Sequence, residues 1–173
     1  MQALFEANPD YFLIVGGQPP RPDEAQQEFD ERVPEHLSYS TRWFAGAFDR
    51  SAKLQGLIIL VSDLSAPRVW HTALFFLAGA LRGSGAAMEL HTALEAYAKG
   101  SGAHWLRLAV IDGNAPAQRF WAKCGYQEVR TRPFPNASGE MKLARVLVKP
   151  LAGGALSEYL HLVPRDAPES TLP

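Results

Sequence analysis

The sequence has a single cysteine, Cys124, among its 173 residues. One cysteine excludes an internal disulfide framework and a cysteine-built zinc site, and it suits a reducing compartment. Long hydrophobic runs are also missing. The longest apolar stretch, residues 73–81, has about half of the ~20 residues that a membrane-spanning helix needs. The start of the chain lacks the basic residues and apolar core of a signal peptide. These shortages predict a cytoplasmic protein without a membrane partner.

An excess of charge of either sign is absent as well. Seventeen Lys and Arg face eighteen Asp and Glu, a net charge of −1. A nucleic-acid-binding protein usually leaves a basic footprint, so no nucleic-acid partner is expected. The two parts of the chain differ, however: residues 1–60 hold five basic and nine acidic residues (−4), and residues 61–173 hold twelve and nine (+3). The later, basic part is compatible with an anionic ligand.

Length and composition predict one domain with one ordinary core, since 47% of the residues are hydrophobic. The domain is expected over residues 1–149. A tail, residues 150–173, is rich in Gly, Pro and acidic residues and holds one apolar island, residues 159–163. That island is expected to pack either on the body of the chain or on a second subunit.

Apolar spacing and breaker residues predict the elements in order. We expect a short helix over 3–13, a helix from 22 to about 33, a strand hairpin from 39–48 and 54–61, a strand over 70–78, a helix over 85–99, a strand over 104–111, a short helix capped by Asn114, and strands 126–132 and 141–148 around the loop 133–139. The segment from 70 to 111 then forms a right-handed βαβ unit with two parallel strands.

The most informative segment is the hexapeptide Arg82-Gly83-Ser84-Gly85-Ala86-Ala87, which joins a buried strand to a helix. Small residues leave the backbone N–H groups uncovered at the helix N-terminus, where unsatisfied donors and the helix dipole favour a phosphate. Arg82 adds a positive charge at the rim. The alternative is an ordinary turn that needs only residues tolerant of the bend.

Two motifs carry a resemblance to a known family. Arg82-x-x-Gly85-x-Ala87 resembles the pyrophosphate loop of the GNAT superfamily of acetyl-CoA-dependent N-acyltransferases. Residues 114–126, from Asn114 to Tyr126, resemble that family's Asn-x-x-Ala-x-x-Phe-Tyr-x-x-x-Gly-Phe segment. The likeness covers about residues 40–148. It implies an α/β (α+β) fold with a mixed sheet of six to seven strands, splayed between two parallel strands and flanked by about four helices. The family's first strand has no counterpart before the first helix.

The resemblance also implies a function and a donor site. It predicts transfer of an acetyl group from acetyl-CoA, as co-substrate, to a primary amine by direct attack in a ternary complex. The main chain of Leu77 and Gly79 would pair with the pantetheine arm, the hexapeptide amides would bind the pyrophosphate, and Asn114 with the helix after it would border the thiol. The implied contacts are Leu77, Ala78, Gly79, Arg82, Gly83, Ser84, Gly85, Ala86, Ala87, Asn114, Ala117, Phe120 and Trp121.

The residues that would move protons are less defined. Trp121 stands where many family members place a tyrosine acid, and an indole N–H cannot serve as a general acid. His71 is a candidate base, with a polar filler at a strand end as the alternative. Asp63 is a candidate to orient the amine or relay its proton, with an ordinary turn residue as the alternative. Cys124 is expected to be a buried thiol. His91 and Glu95 lie one turn apart without a third ligand, so no metal is expected.

The sequence leaves the acceptor open between a small metabolite, an antibiotic-like amine and a peptide or protein terminus. An acidic stretch, residues 23–35, either attracts a cationic amine or is a solvated helix face. The rival function is a GNAT-like module that binds acyl-CoA without turnover. A homodimer is a further possibility, from the family and from the tail's apolar island.

Overall fold

The computed structural model describes residues 1–172, which form a mixed sheet with the strand order β1-β2-β3-β4-β6-β5. β3 and β4 pair in parallel, and every other neighbouring pair is antiparallel. The predicted GNAT-like fold class and its parallel βαβ unit are therefore confirmed. The strands are β1 (Arg42–Phe48), β2 (Leu54–Val61), β3 (Val69–Leu77), β4 (Trp105–Ile111), β5 (Gln127–Pro135) and β6 (Met141–Pro150).

Six α-helices accompany the sheet within the described residues. Among them, α4 connects β3 to β4, and α5 follows β4. A 3₁₀ turn over Gly79–Leu81 leads into α4, and a second one over Pro164–Asp166 follows the last helix. The helices are α1 (Gln2–Glu6), α2 (Asp10–Gly16), α3 (Glu24–Asp30), α4 (Ala86–Gly100), α5 (Ala115–Lys123) and α6 (Leu156–Leu162).

The two parallel strands separate at a β-bulge. The register between β2 and β3 shifts so that Ala73 has no partner residue. Pairing of β3 with β4 ends at the same place: Thr72 and Leu108 are the last matched pair, although β3 continues to Leu77 and β4 to Ile111. An extra residue bends and twists its strand. The bulge therefore turns β3 away from β4 and produces the predicted splay.

One face of the sheet packs against α4 and α5. Apolar side chains from the central strands meet the inward sides of both helices in a single buried cluster, as the helical spacing of their apolar residues predicts. Its members include Ile58 of β2, Trp70 of β3, Leu94 of α4 and Trp121 of α5. Burial of large apolar side chains is the main favourable contribution to folding, so this cluster anchors α4 and the turn before it.

The other face is covered in two parts. α1 packs on β2 and β3, where Phe5 lies among Leu57 and Phe76. α6 packs on β4 and β6, where Tyr159 and other tail side chains join Val148 and Trp105. Tyr159 is 0% exposed. The tail's apolar island thus packs on the body of its own chain, which is one of the two expected arrangements.

The N-terminal helix differs from the prediction. Instead of one helix over 3–13, the chain forms α1 and α2 with a break between them. Pro9 lies at the N-cap of α2. Because proline has no N–H to donate and its ring clashes with the preceding turn, it starts a new helix instead of continuing the old one. α3 is also shorter than expected. No strand precedes α1 within residues 1–172.

The β5–β6 hairpin extends further than predicted. The segment 133–139 is not all loop: Pro133 pairs with Leu143, and Pro135 pairs with Met141. Two prolines are tolerated because β5 is the edge strand, where an N–H facing solvent need not join the ladder. No described helix is long and apolar enough to cross a membrane.

Candidate functional site

A cavity of about 890 Å³ lies where β3 and β4 separate. The strand ends beyond the bulge, the turn before α4 and the start of α5 form its walls on one side. α2 and residues 31–37 form the opposite wall. Phe75, which packs toward α5, and Phe76, which packs toward α1, both line it. The cavity therefore reaches both faces of the sheet through the splay.

The hexapeptide forms an open loop at the N-terminus of α4. Gly83 and Gly85 have φ angles of +76° and +93°, a backbone region that other residues rarely adopt. Among residues 1–172, no hydrogen-bond acceptor meets the N–H groups of Gly83, Gly85 and Ala87. Gly83 and Ala87 line the cavity, as does Arg82. Unpaired amides at a helix N-terminus form an arrangement that fits a phosphate.

Arg82 has an ionic partner that the sequence motifs do not predict. Its guanidinium forms an ion pair with Asp10, the first residue of α2. The hydrogen bond from Arg82 lowers the pKa of Asp10, so the carboxylate is charged at neutral pH. Both side chains are about half exposed, at 52% and 49%. Since exposed pairs contribute at most about 1 kcal/mol, a doubly charged phosphate can compete for Arg82.

The end of β3 offers less free main chain than the resemblance implies. Ala78 N–H donates to the carbonyl of Gln55 at 2.8 Å, and Gly79 N–H donates to Asn8 Oδ1 at 2.6 Å. Pairing of Gly79 with a pantetheine arm would require Asn8 to release it. Leu77 lines the cavity and lies on the part of β3 that no longer pairs with β4. The exposed edge of β3 therefore lies before Ala78, between the bulge and Leu77.

α5 presents one of its sides to the cavity. Asn114 caps the helix, with Oδ1 accepting from Ala117 N–H at 3.2 Å, as the motif predicts. Asn114, Ala117, Phe120 and Trp121 all line the cavity. Trp121 is also 6% exposed and packs edge-on against Phe75, with ring centroids 5.2 Å apart. The indole thus serves as a wall of the cavity near the splay.

His71 lines the cavity, and Arg107 contacts one of its ring nitrogens. Arg107 Nη1 lies 3.2 Å from His71 Nδ1. Burial, and then the positive charge of Arg107, lower the pKa of His71 to about 3. An imidazole with this pKa stays neutral at physiological pH and is a weak base. The arrangement therefore disfavours the predicted role of His71 as general base.

Asp63 does not line the cavity, although Val61 and Leu64 do, and it lies in the connection between β2 and β3. Its φ is +54°, and its carboxylate accepts hydrogen bonds from Ser40 Oγ at 2.7 Å and from Arg68 N–H at 2.6 Å. Aspartate often stabilises turns in this way. The turn interpretation accounts for both of its oxygens.

Sequence reasoning missed two hydroxyl groups in the cavity, those of Tyr11 and Thr72. Tyr11 OH has no hydrogen-bond partner within residues 1–172. Burial raises the pKa of Tyr11, and the carboxylates of Glu28 and Glu31 raise it further, so the phenol keeps its proton. Thr72 Oγ1, at the apex of the splay, is buried without a partner. Neither hydroxyl belongs to a motif, so no local sequence pattern indicates that Tyr11 or Thr72 faces a cavity.

Two further reactive side chains, Cys124 and His91, are buried and do not line the cavity. Cys124 is buried beside Trp121 and Tyr126, and burial raises the pKa of its thiol. His91 lies 3.7 Å from Glu95, whose carboxylate also bonds Lys149 at 2.5 Å. Within the part of the chain that the structure describes, no group of three His, Cys, Asp or Glu side chains is arranged to hold a metal.

Comparison with known proteins gives one family. The model of the acetyltransferase (GNAT) family matches residues 1–126. No curated protein sequence matches the chain.

Several solved structures share its fold. One, provisionally described as a phosphinothricin N-acetyltransferase, has a TM-score of 0.66 at 17% identity, covering 88% of this chain and 93% of its own. The ribosomal-protein-S18-alanine N-acetyltransferase of Escherichia coli has a TM-score of 0.60 at 13% identity, with 86% and 88% covered. A nourseothricin acetyltransferase has a TM-score of 0.56 at 20% identity, with 70% of each chain covered. At these identities the likeness shows the fold alone.

Proposed function

The chain belongs to the acetyltransferase (GNAT) family, and from this premise we propose that it moves an acetyl group from acetyl-CoA to a primary amine. Membership implies an acyl-CoA donor. The observation that carries the finer proposal is the set of unpaired amides of Gly83, Gly85 and Ala87 at the N-terminus of α4, beside a cavity that reaches both sheet faces. Such amides suit a pyrophosphate. Because the cavity reaches both faces of the sheet, donor and acceptor can meet at the splay in a ternary complex.

Acetyl-CoA supplies a thioester: the amine nitrogen bonds to its carbonyl carbon, the carbon–sulfur bond breaks, and the sulfur leaves with the electron pair and takes up a proton. The chain contributes positioning by the loop of 82–87 and by the exposed edge of β3 before Ala78. A backbone N–H on that edge can stabilise negative charge on the carbonyl oxygen. Glu31 lines the cavity with its side chain 67% exposed and its carboxylate 3.7 Å from Arg42, so an ammonium group would share that carboxylate with the arginine.

We assign the proton for the leaving sulfur to Tyr11. Trp121 cannot release a proton, whereas the Tyr11 phenol lines the cavity, keeps its proton and has no partner within residues 1–172. Its neighbour Asp10 forms an ion pair with Arg82, so the start of α2 lies beside the loop of residues 82–87. Tyr11 therefore occupies the role that the family often gives to a residue on α5.

Replacement of Tyr11 by Phe is expected to lower kcat about tenfold to hundredfold, at the low end of the ~10²–10⁴-fold of a positioned acid, because burial raises the pKa of Tyr11 and weakens it as an acid. Acetyl-CoA affinity should change less than twofold. Steady-state kinetics and calorimetry would measure the two quantities. Tyr97→Phe is the matched control, because Tyr97 lies on α4 against Trp43 and Trp70, outside the cavity. An unchanged kcat in Tyr11→Phe would remove Tyr11 from the mechanism.

The proposed activity is tested by thiol release from acetyl-CoA with a panel of amines, with the acetylated product identified by mass. The panel should pair small amines with peptides of the same N-terminal residue. Release that depends on an amine supports the proposal. The rival function is an acyl-CoA-binding module without turnover. Thermal stabilisation by coenzyme A, with no acetylated product from any amine, would favour that module.

A further inference from the structure

Thr72 carries a buried hydroxyl group that lacks a hydrogen-bond partner. The residue is 5% exposed, and no group within residues 1–172 bonds its Oγ1. Arg132 Nε is the second buried side-chain atom in this condition among the described residues, but Arg132 does not line the cavity, whereas Thr72 does. A buried polar group without a partner lowers the stability of a fold, so its presence needs an explanation.

The neighbours of Thr72 in the sheet would favour an apolar side chain at this position. Thr72 pairs with Leu60 of β2 on one side and with Leu108 of β4 on the other. Side chains of paired residues in adjacent strands lie on the same face, and both leucines belong to the apolar cluster beneath α4 and α5. Valine has nearly the shape of threonine and would complete this row without a polar atom. Packing therefore does not require the hydroxyl.

Thr72 lies where the sheet opens. Thr72 and Leu108 are the last matched pair of β3 and β4, and the next residue, Ala73, has no partner residue in either neighbouring strand. Ala73 lines the cavity as well. The side-chain donor of Thr72 and the main-chain donor of Ala73 thus come from consecutive residues at the apex of the cavity.

One rotation of the side chain brings the hydroxyl to the cavity. Threonine carries a methyl group and a hydroxyl on the same carbon atom, and its staggered rotamers exchange their positions. The Thr72 side chain already borders the cavity while its Oγ1 is buried. A ligand oxygen at the splay can therefore accept a hydrogen bond from Oγ1 after such a rotation, which gives the hydroxyl the partner that the protein does not supply.

We propose that the Thr72 hydroxyl donates a hydrogen bond to the carbonyl oxygen of the acetyl thioester and is a catalytic residue of the transfer. The inference rests on the proposed function and deepens it. The carbonyl oxygen gains negative charge when the amine nitrogen bonds to the carbonyl carbon, and it loses that charge when the carbon–sulfur bond breaks. It therefore needs donors at the splay. The attacking amine needs no donor, and sulfur is a weak acceptor.

Calorimetric titration of Thr72→Val tests this contact without turnover. Because coenzyme A lacks the carbonyl group, the variant should bind coenzyme A as the wild type does and bind acetyl-CoA about threefold to tenfold more weakly, as expected for one lost hydrogen bond. Thr72→Ser keeps the hydroxyl and should bind both ligands normally. Thr92→Val is the matched control, since Thr92 Oγ1 donates to the Met88 carbonyl at 2.9 Å on α4, outside the cavity. Equal losses for the two ligands, or no loss, would overturn the proposal.

Stability and rate should change in opposite directions in Thr72→Val. Removal of the unpartnered polar atom should raise Tm by about 2–4 °C. With an acceptor amine, kcat should fall about a hundredfold, as for one lost oxyanion donor. Thr72→Ser loses a buried methyl group, so it should have a lower Tm than the wild type but a higher kcat than Thr72→Val.

A purely structural hydroxyl would give a different pattern. A lower Tm in Thr72→Val would show that the hydroxyl stabilises the fold through a bond inside the protein, and it would contradict the proposal. Absence of acetyl transfer by the wild type, with the selective loss of acetyl-CoA binding in Thr72→Val intact, would instead reject the proposed function.

Discussion

Replacement of Gly85 by Glu is expected to weaken coenzyme A binding at least a hundredfold while the protein stays folded. A Cβ at this position would meet no atom within 4 Å, so the first side-chain atom causes no clash. It would, however, place a carboxylate beside the unpaired amides at the N-terminus of α4, where it competes for the same donors and repels phosphate. Calorimetric titration with coenzyme A measures the loss, and thermal unfolding without ligand measures the stability.

Gly102→Glu provides the matched control for that variant. Gly102 has a φ of +91°, close to the +93° of Gly85, and a Cβ there also meets no atom within 4 Å. It lies beyond the other end of α4, away from the cavity. Both variants should lose about 1 kcal/mol from the backbone conformation, but Gly102→Glu should keep coenzyme A binding. Equal binding by the two variants would mean that the hexapeptide is a structural turn.

Replacement of Asp166 by Leu is expected to destabilise the fold by about 3–5 kcal/mol, as removal of one partner of a buried ion pair does. The change leaves the Arg107 guanidinium buried without its counter-charge, and it also leaves Tyr159 OH without an acceptor. Urea unfolding followed by tryptophan fluorescence measures the difference. The loss is a large fraction of the stability of an ordinary domain.

Two comparisons separate the charge effect from a packing effect. The double variant Arg107→Met with Asp166→Leu should recover most of the lost stability, because no uncompensated charge stays buried. Glu169→Leu, at an exposed position three residues further along the tail, should change stability by less than ~0.5 kcal/mol. A double variant no more stable than Asp166→Leu would show that the pair acts through shape and not through charge.

The same ion pair predicts the direction of the acid response. Burial raises the pKa of Asp166, but the hydrogen bond and charge of Arg107 outweigh it, and the net pKa lies below the ordinary 3.8. A carboxylate with a lowered pKa in the folded state stabilises the protein above pH 3.8 and loses that contribution as the pH falls through the lowered pKa. Stability measured from pH 5 to pH 2 should therefore fall in the wild type more steeply than in the double variant.

Sequence reasoning succeeded where the physics is local. The hexapeptide has positive φ angles at two positions, and the sequence places glycine, which adopts such angles readily, at both of them, Gly83 and Gly85. The cap at Asn114 likewise joins a side chain to an amide three residues away. The limits of β2, α4 and β4 follow from apolar spacing over single elements. These features, with their separation along the chain, were sufficient to predict the family and the splayed sheet.

The same reasoning could not identify contacts between distant residues. Asn8 takes the N–H of Gly79, 71 positions away, and Asp10 pairs with Arg82, 72 positions away. Asn8 and Asp10 lie in the segment 3–13, where the sequence predicts one helix and the chain instead breaks between α1 and α2. Tyr11 enters the cavity for the same reason, because its place depends on where Pro9 restarts the chain. No local pattern encodes how α1 and α2 dock on the sheet.

The sequence by itself determined the family, the parallel pair of strands and the open loop of residues 82–87, because each depends on the chemistry of neighbouring residues. The tertiary structure alone decided what the chemical groups around the cavity can do. The sequence makes His71 a candidate base, whereas in the fold Arg107 Nη1 lies 3.2 Å from its Nδ1, and burial with the charge of Arg107 lowers the pKa of His71 to about 3. A histidine takes its protonation state from the charges packed around it, and the folded chain supplies those charges from distant segments.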